Sequence, residues 1–156
     1  MSRNEEGMKI LFLSPLTGRS VSLEEVPDPV FSQKIIGDGM AVIPSDGRIV
    51  SPVDAQVVSI ADTAHAYGLK TEDGIELLIH AGIDTVKMNG EGFETFVETG
   101  AKVKKGDKLL SFDMDLVKEK GYKTQTMFLV ADAKGKEVEV VEAADADNNT
   151  KIMNLK

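Results

Sequence analysis

The stretch His65-Ala-Tyr-Gly-Leu-Lys-Thr-Glu-Asp-Gly74-Ile-Glu-Leu-Leu-Ile-His80 carries both histidines of the chain. Two runs of strand-forming residues flank Asp73-Gly74, a pair that is the strongest short-range signal for a β-hairpin. Read as a two-residue loop, the pair sets Glu72 opposite Ile75, Leu69 opposite Leu78, Tyr67 opposite His80 and His65 opposite Gly82. The two histidines then project from one face as diagonal neighbours, about 7–8 Å apart at Cα. Tyr67, Leu69 and Leu78 share that face, and Asp84 follows His80 at the even-numbered spacing. A slip of one residue would put the histidines on opposite faces, so the placement depends on the turn.

Apolar surroundings disfavour the charged imidazolium and leave a neutral ring nitrogen available as nucleophile or ligand. A lone histidine in an apolar strand is more often a hydrogen-bonded core residue. When both histidines of a chain converge, a shared task in phosphoryl chemistry or metal binding weighs as much as that structural role.

Outward from the hairpin, glycine and proline punctuate the chain at short intervals with β-branched runs between them. The runs are Ala41–Ile43, Arg48–Val50, Gln56–Ile60, Ile75–Ala81, Lys108–Phe112, Thr126–Ala131 and Lys136–Val141. Many short strands joined by tight turns predict an all-β protein, an antiparallel β sandwich or barrel, with one or two short helices. The helices are expected over Asp28–Gln33, with Asp28 as cap and Pro29 at the first helical position, and over Asp113–Lys120, capped by Asp113 and stopped at Gly121. Pro44-Ser-Asp-Gly47, Glu72-Asp-Gly74 and Lys105-Gly-Asp107 read as turns. The 156 residues suit one domain with a core over about 8–142 and loose termini. The polar tract after Val141 leads into a loosely held tail.

Acidic residues outnumber basic ones by 26 to 18, for a net charge of −8. That balance repels phosphate backbones and anionic lipid, so nucleic acid is not expected as a partner. Without cysteine there is no disulfide framework, and any metal would have to be held by His, Asp or Glu. A cytoplasmic location fits this composition. Met8–Leu13 is too short for a signal-peptide core or a membrane span and reads as a first strand. Residues 2–7 are polar with no apolar face, so neither a surface helix nor membrane insertion is expected.

From Ser14 to about Val130 the chain resembles the glucose-type IIA components of the bacterial phosphoenolpyruvate-dependent sugar phosphotransferase system. The matching pieces are Ser14-Pro-Leu-Thr-Gly18, Val26-Pro-Asp-Pro-Val-Phe31, Ile36-Gly-Asp-Gly-Met40, Ser51-Pro-Val-Asp54, Thr63-Ala-His65-Ala and Ile79-His-Ala-Gly-Ile-Asp-Thr-Val86. They continue with Gly90-Glu-Gly-Phe93, Gly100-Ala-Lys-Val-Lys-Lys-Gly106 and Phe112-Asp-Met-Asp115. Several pieces in the right order are far more specific than one short pattern.

The resemblance implies a phosphotransferase component with a phosphohistidine intermediate. It would accept a phosphoryl group from the phosphocarrier HPr and pass it to the IIB part of a glucose-type sugar permease. Carried over residue by residue, His80 matches the phosphorylated nucleophile and His65 the stabiliser of the transferred group. Thr63 matches the residue that orients His65, and Gly82 the one whose backbone carbonyl orients His80. Asp28 and Asp84 match acidic residues that flank the pocket. The two carboxylates are expected to meet arginines on HPr, with Val30, Phe31, Ile35, Leu78 and Val86 as the apolar docking ring; the alternative is a helix cap for Asp28 and a turn former for Asp84, and either residue could serve both roles. Ala81 stands where many relatives carry a larger side chain, which suggests a shallower wall.

No cofactor is required on this reading, although His65 and His80 could hold a zinc ion shared with a partner. The alternative function is a zinc-binding regulatory or hydrolytic protein using the same two histidines. Catalytic zinc usually takes three protein ligands, and no dense ligand spacing is present. A biotinyl or lipoyl carrier, suggested by Gly100–Leu110 and by Val86-Lys87-Met88, has these pieces in the reverse order.

Overall fold

The computed structural model describes residues 10–156. The readings of Met8, Lys9 and residues 2–7 lie outside that range. Among the described residues the chain forms β1 (Ile10–Leu13), β2 (Gly18–Ser22), a 3-10 turn (Leu23–Glu25), α1 (Pro29–Ser32), β3 (Asp38–Pro44), β4 (Arg48–Val50), β5 (Ala55–Ile60) and β6 (Ala66–Lys70). There follow β7 (Glu76–Ile83), a 3-10 turn (Thr85–Met88), β8 (Phe93–Thr95), β9 (Lys102–Val103), β10 (Lys108–Phe112) and α2 (Met114–Glu119). The chain ends with β11 (Lys123–Asp132), β12 (Val138–Val140), β13 (Ala143–Ala146) and β14 (Lys151–Leu155). The antiparallel all-β architecture with two short helices read from the sequence is borne out.

An eight-stranded sheet runs in the order β13-β2-β3-β11-β7-β6-β5-β9, accompanied by two three-stranded sheets, β4-β10-β8 and β1-β14-β12. One face of the large sheet closes on the main core, where Met40, Val42, Tyr67, Leu69, Leu77, Ile79 and Phe128 are buried with Phe12 and Ile49 from the smaller sheets. The opposite face of β2, β3, β11 and β7 carries a second cluster of Val21, Ala41, Met127, Leu129 and Ile83, covered by Leu23, Val26 and Phe31. Strand alternation explains the division, since successive side chains of β7 point to opposite faces. Leu77, Ile79 and Ala81 enter the main core, while Leu78 packs with the second cluster. The strand register places Val21, Ala41, Met127, His80 and Ala66 in one row across five strands.

Both helices stand where capping chemistry placed them. The Asp28 carboxylate accepts from Val30 N at 3.0 Å with Pro29 opening the helix, and the Asp113 carboxylate accepts from Leu116 N at 3.1 Å. Each bond satisfies an amide that the helix itself leaves unpaired.

Two expectations are corrected. The hairpin register is offset by one residue, with Lys70 opposite Glu76, Leu69 opposite Leu77, Tyr67 opposite Ile79 and Ala66 opposite His80. The cause is a three-residue loop: Thr71 N donates to Ile75 O at 2.9 Å, Ile75 N returns a bond to Thr71 Oγ1 at 3.1 Å, and Gly74 adopts a φ of 87°. A left-handed glycine closing such a loop adds one residue to the connection. Tyr67 and Leu69 therefore face the main core rather than the histidines, and only Leu78 remains on the His80 side.

The C-terminal tract is likewise no loose tail. It forms β13 on the edge of the large sheet and β14 between β1 and β12, with Ile152, Met153 and Leu155 fully buried. Their spacing is short and the flanking Ala-Asp-Ala-Asp-Asn-Asn run is polar, which hides the strands from composition. Replacing Ile152 with Ala should cost about 2–4 kcal/mol in urea unfolding, the usual cost of a core cavity. Ala144→Lys on the exposed side of β13 should leave stability within about 0.5 kcal/mol.

Candidate functional site

His80 stands near the end of β7, in the row it shares with Met127 and directly opposite Ala66. Its Nδ1 lies 2.8 Å from the carbonyl oxygen of Gly82. A carbonyl only accepts, so Nδ1 carries the proton and the Nε2 lone pair is left for chemistry. Gly82 makes this bond possible by adopting a φ of 81°. A β-carbon at Gly82 would collide with Thr85 Cγ2 and with the carbonyl oxygen of Lys123. Opposite this turn the β7–β11 ladder shifts register between the Ile83–Lys123 and Ala81–Thr126 pairs.

His65 precedes β6 and follows Ala64, whose φ of 58° is left-handed. Strict alternation from Ala66 would send the His65 side chain to the main-core face. Because the regular ladder ends at Ala66 and the backbone turns at Ala64, the ring instead reaches His80. The imidazole centroids are 4.9 Å apart and the planes cross at 81°. Ala66, with only a methyl group opposite His80, leaves room for the second ring. The convergence expected from sequence therefore occurs, although by a different backbone route. Thr63 Oγ1 lies 2.5 Å from His65 Nδ1. With that hydroxyl as the donor, the proton of His65 stands on Nε2, and the ring then presents a donor where His80 presents a lone pair.

Burial, and to a lesser degree the neighbouring His80, together lower the pKa of His65 to about 4. His80 is also lowered by burial, but the Gly82 carbonyl and the negative charges of Asp28 and Asp84 pull it back up. Both rings are therefore neutral at physiological pH. The two carboxylates come from different elements: Asp28 caps α1, whereas Asp84 has a φ of 63° and opens the 3-10 turn without a side-chain capping bond.

The expected apolar ring divides in two. Val30, Ile35 and Val86 are 41%, 66% and 49% exposed and are carried by α1, the bend that follows it and the Thr85–Met88 turn; Ile36, beside Ile35 in that bend, is exposed as well and was not singled out from sequence. Leu78 is half-buried. Phe31, placed on the docking surface from sequence, is buried, with its ring centroid 5.0 Å from that of His80. It holds the imidazole from one side. Ala81 does not wall the surface at all, because it is fully buried in the main core.

A cleft of about 870 Å³ opens elsewhere, between Thr95–Glu98 and Ala101–Lys108, and neither histidine lines it. His65 is buried and His80 half-buried, both outside that cleft. Among the described residues no group of three His, Asp or Glu is placed to hold a metal ion. No helix among them is long and apolar enough to cross a membrane.

An antiparallel β protein with neutral, pre-oriented imidazoles on an acid-rimmed surface falls in the class of histidine-based phosphoryl carriers. Residues 10–136 match the family described as phosphoenolpyruvate-dependent sugar phosphotransferase system, EIIA 1, and the chain belongs to that family, a phosphoryl carrier of sugar uptake. It is 45% identical over 145 residues to the PTS system glucose-specific EIIA component of Bacillus cereus, covering 92% of this chain and 88% of that one. It is 49% identical over 118 residues to the component of the same name from Bacillus anthracis, covering 76% and 72%. The glucose permease IIA from Mycoplasma capricolum superposes with a TM-score of 0.92 at 32% identity, covering 99% of this chain and 100% of that one.

The lowered histidine pKa has a consequence for stability. Between pH 6.5 and about 4 the unfolded chain binds a proton at His65 that the folded chain rejects, so stability falls as pH falls through that window. At about 1.4 kcal/mol per pKa unit, the loss approaches roughly 3 kcal/mol at most. In urea unfolding at pH 7 and pH 4.5, His65→Gln should lose less stability on acidification than the wild type. Equal losses would mean that His65 titrates normally.

Proposed function

We propose that His80 accepts the phosphoryl group on Nε2 from phospho-HPr and delivers it to the IIB component of a sugar permease, with glucose as the sugar. The observation that carries this reading is the 2.8 Å approach of His80 Nδ1 to the Gly82 carbonyl, which leaves Nε2 as the one nucleophilic nitrogen of the ring. The glucose assignment rests on the names of the Bacillus relatives.

In the transfer, the lone pair on Nε2 attacks phosphorus in line as the P–N bond to the HPr imidazole breaks, and the electrons of that bond return to the departing ring. The proton on His80 Nδ1 stays in place against Gly82. Phosphoryl transfer asks little covalent help from a protein, so positioning and charge stabilisation supply most of the rate. His65 donates from Nε2–H to an equatorial phosphoryl oxygen, held in that tautomer by Thr63. Phe31 limits ring rotation.

The acidic rim of Asp28 and Asp84 repels the phosphoryl oxygens and attracts cationic side chains of the donor. Such a site binds the protein donor while keeping the carried group reactive enough to leave again. Val30, Ile35 and Val86 provide the apolar contact around it. Zinc fits here only as a shared ion. For the two Nε2 atoms to serve as ligands, His65 would have to shift its proton to Nδ1 and donate it to Thr63 Oγ1, as His80 already donates from Nδ1 to Gly82, and a partner would have to complete the set. It would supply a bridge between proteins rather than a step in transfer.

Incubation with phosphoenolpyruvate, enzyme I and HPr should introduce one acid-labile phosphoryl group. His80→Ala should not be labelled, while His65→Gln should accept the group and pass it to IIB roughly 10²-fold more slowly, the scale of a lost transition-state donor. Labelling that survives in His80→Ala overturns the assignment. For the rim, Asp28→Asn or Asp84→Asn should weaken HPr binding severalfold at low salt and flatten its salt dependence. Unchanged affinity in both variants would make the carboxylates structural only.

A further inference from the structure

Thr85 has no role in the reading of the site so far, yet it is completely buried beside it. Its Oγ1 donates to the carbonyl oxygen of Ala81 at 2.5 Å. The amide of Ala81 donates in turn to the carbonyl oxygen of His65 at 2.7 Å. Ala81 is thus gripped at its carbonyl by Thr85 and at its amide by His65, and it is the residue between His80 and Gly82.

The location matters because the β7–β11 ladder is irregular there, with the register shifting across the residues that face Gly82. Regular pairing would fix the peptide planes of β7, but here a side chain takes over part of that work. The same Thr85 also meets Gly82 through Cγ2, on the side where a β-carbon would clash. The turn also departs from strand geometry, since Gly82 and Asp84 both have positive φ within three residues. A non-glycine residue in that region keeps its conformation only when its surroundings hold it.

We propose that Thr85 is a positioning residue for phosphoryl transfer: its hydroxyl locks the Ala81–Gly82 segment so that the Gly82 carbonyl stays aimed at His80 Nδ1. The proposal rests on His80 being the nucleophile for its effect on rate, but not for its effect on the ring. Loss of the hydroxyl leaves a buried carbonyl without that donor. The peptide plane then turns to find another, the bond from Nδ1 weakens, and the neutral imidazole divides between its two tautomers. The fraction with its proton on Nε2 cannot attack.

The ring itself reports the outcome. In ¹⁵N spectra of the unphosphorylated protein at pH 7.5, wild-type His80 should show one protonated Nδ1 and one unprotonated Nε2. Thr85→Val, which keeps the shape and removes the hydroxyl, should move both shifts toward the averaged values of mixed tautomers. Its kcat for accepting phosphoryl from phospho-HPr should fall roughly tenfold with KM little changed, as expected when only transition-state alignment is lost. Thr85→Ser, which restores the hydroxyl without Cγ2, should recover the wild-type shifts and most of the rate.

Wild-type ¹⁵N shifts in a folded Thr85→Val protein would overturn the proposal. Should the valine variant fail to fold, Thr85→Ser decides alone, because mixed tautomers with the hydroxyl present would show that the hydroxyl is not the lock. Failure of the wider carrier reading would look different, as phosphoryl labelling that persists in His80→Ala whatever the spectra of the Thr85 variants.

Discussion

The hydrogen bond from His80 Nδ1 to the Gly82 carbonyl, 2.8 Å long, is the constraint around which the rest of the site is arranged. A neutral imidazole has one lone pair, and whichever nitrogen holds the proton cannot attack. Committing the proton to Nδ1 leaves the lone pair on Nε2, which in the proposed transfer is the nucleophile before any partner arrives. The bond needs a carbonyl that turns back toward its own strand two residues earlier. Only the left-handed conformation of Gly82 supplies that, in a space that Thr85 and Lys123 close to any β-carbon. The register shift between β7 and β11 falls at the same point. Irregularity in the sheet is thus concentrated where the chemistry requires it, while Leu77 and Ile79 keep the preceding part of the strand anchored in the main core.

Burial and charge then separate two imidazoles that are alike in composition. Both lose solvation, which favours the neutral form. His65 has only a second imidazole as its charged neighbour, and its pKa falls to about 4. His80 feels the same loss of water, opposed by Asp28, Asp84 and the Gly82 carbonyl. The opposition has a use in the proposed transfer: attack on phosphorus builds positive charge on the His80 ring, and nearby carboxylates stabilise it. The same charges would repel a phosphoryl dianion once formed, which keeps the phosphohistidine from becoming a resting place. One pair of carboxylates therefore favours both arrival and departure.

How far the sequence alone revealed this arrangement depends on whether the deciding feature was local. The caps at Asp28 and Asp113 were legible because an Asp side chain and the amides it serves are two or three residues apart. The pairing of the histidines was legible because a single hairpin joins them, but its register was not. Whether Asp73-Gly74 forms a two-residue or a three-residue loop turns on the Thr71 hydroxyl reaching Ile75 N, a bond that the sequence pattern does not encode. Phe31 was recognised as a site residue and given the wrong exposure, because a short helix does not reveal which of its residues lies against a sheet 49 positions away. The burial of β14 was invisible for the same reason: the strand pairs with β1 and β12 and sends Ile152, Met153 and Leu155 into the main core, and nothing within the tail announces these neighbours. Thr85 carries no signal of its own in the sequence, because its role rests on a contact with Ala81 that only the folded turn creates.

In the proposed relay, the half-buried placement of His80 suits service to two partners in succession. An enclosed pocket would strengthen every electrostatic contact to the phosphoryl group, but it would also bar a second protein from approaching phosphorus in line. A wholly exposed histidine would be reachable yet solvated, free to rotate and protonated in part near neutral pH. The structure lies between these limits. Phe31 and His65 shield the ring from two sides, and Val30, Ile35 and Val86 leave an apolar rim that water covers only until a partner docks. Docking then removes the remaining solvent, so the dry environment favourable for transfer exists only in the complex. Between encounters the rim is wet and the two carboxylates are screened. On this argument the shallowness of the site is a requirement of the relay, since any wall high enough to enclose phosphorus would have to move aside twice in each cycle.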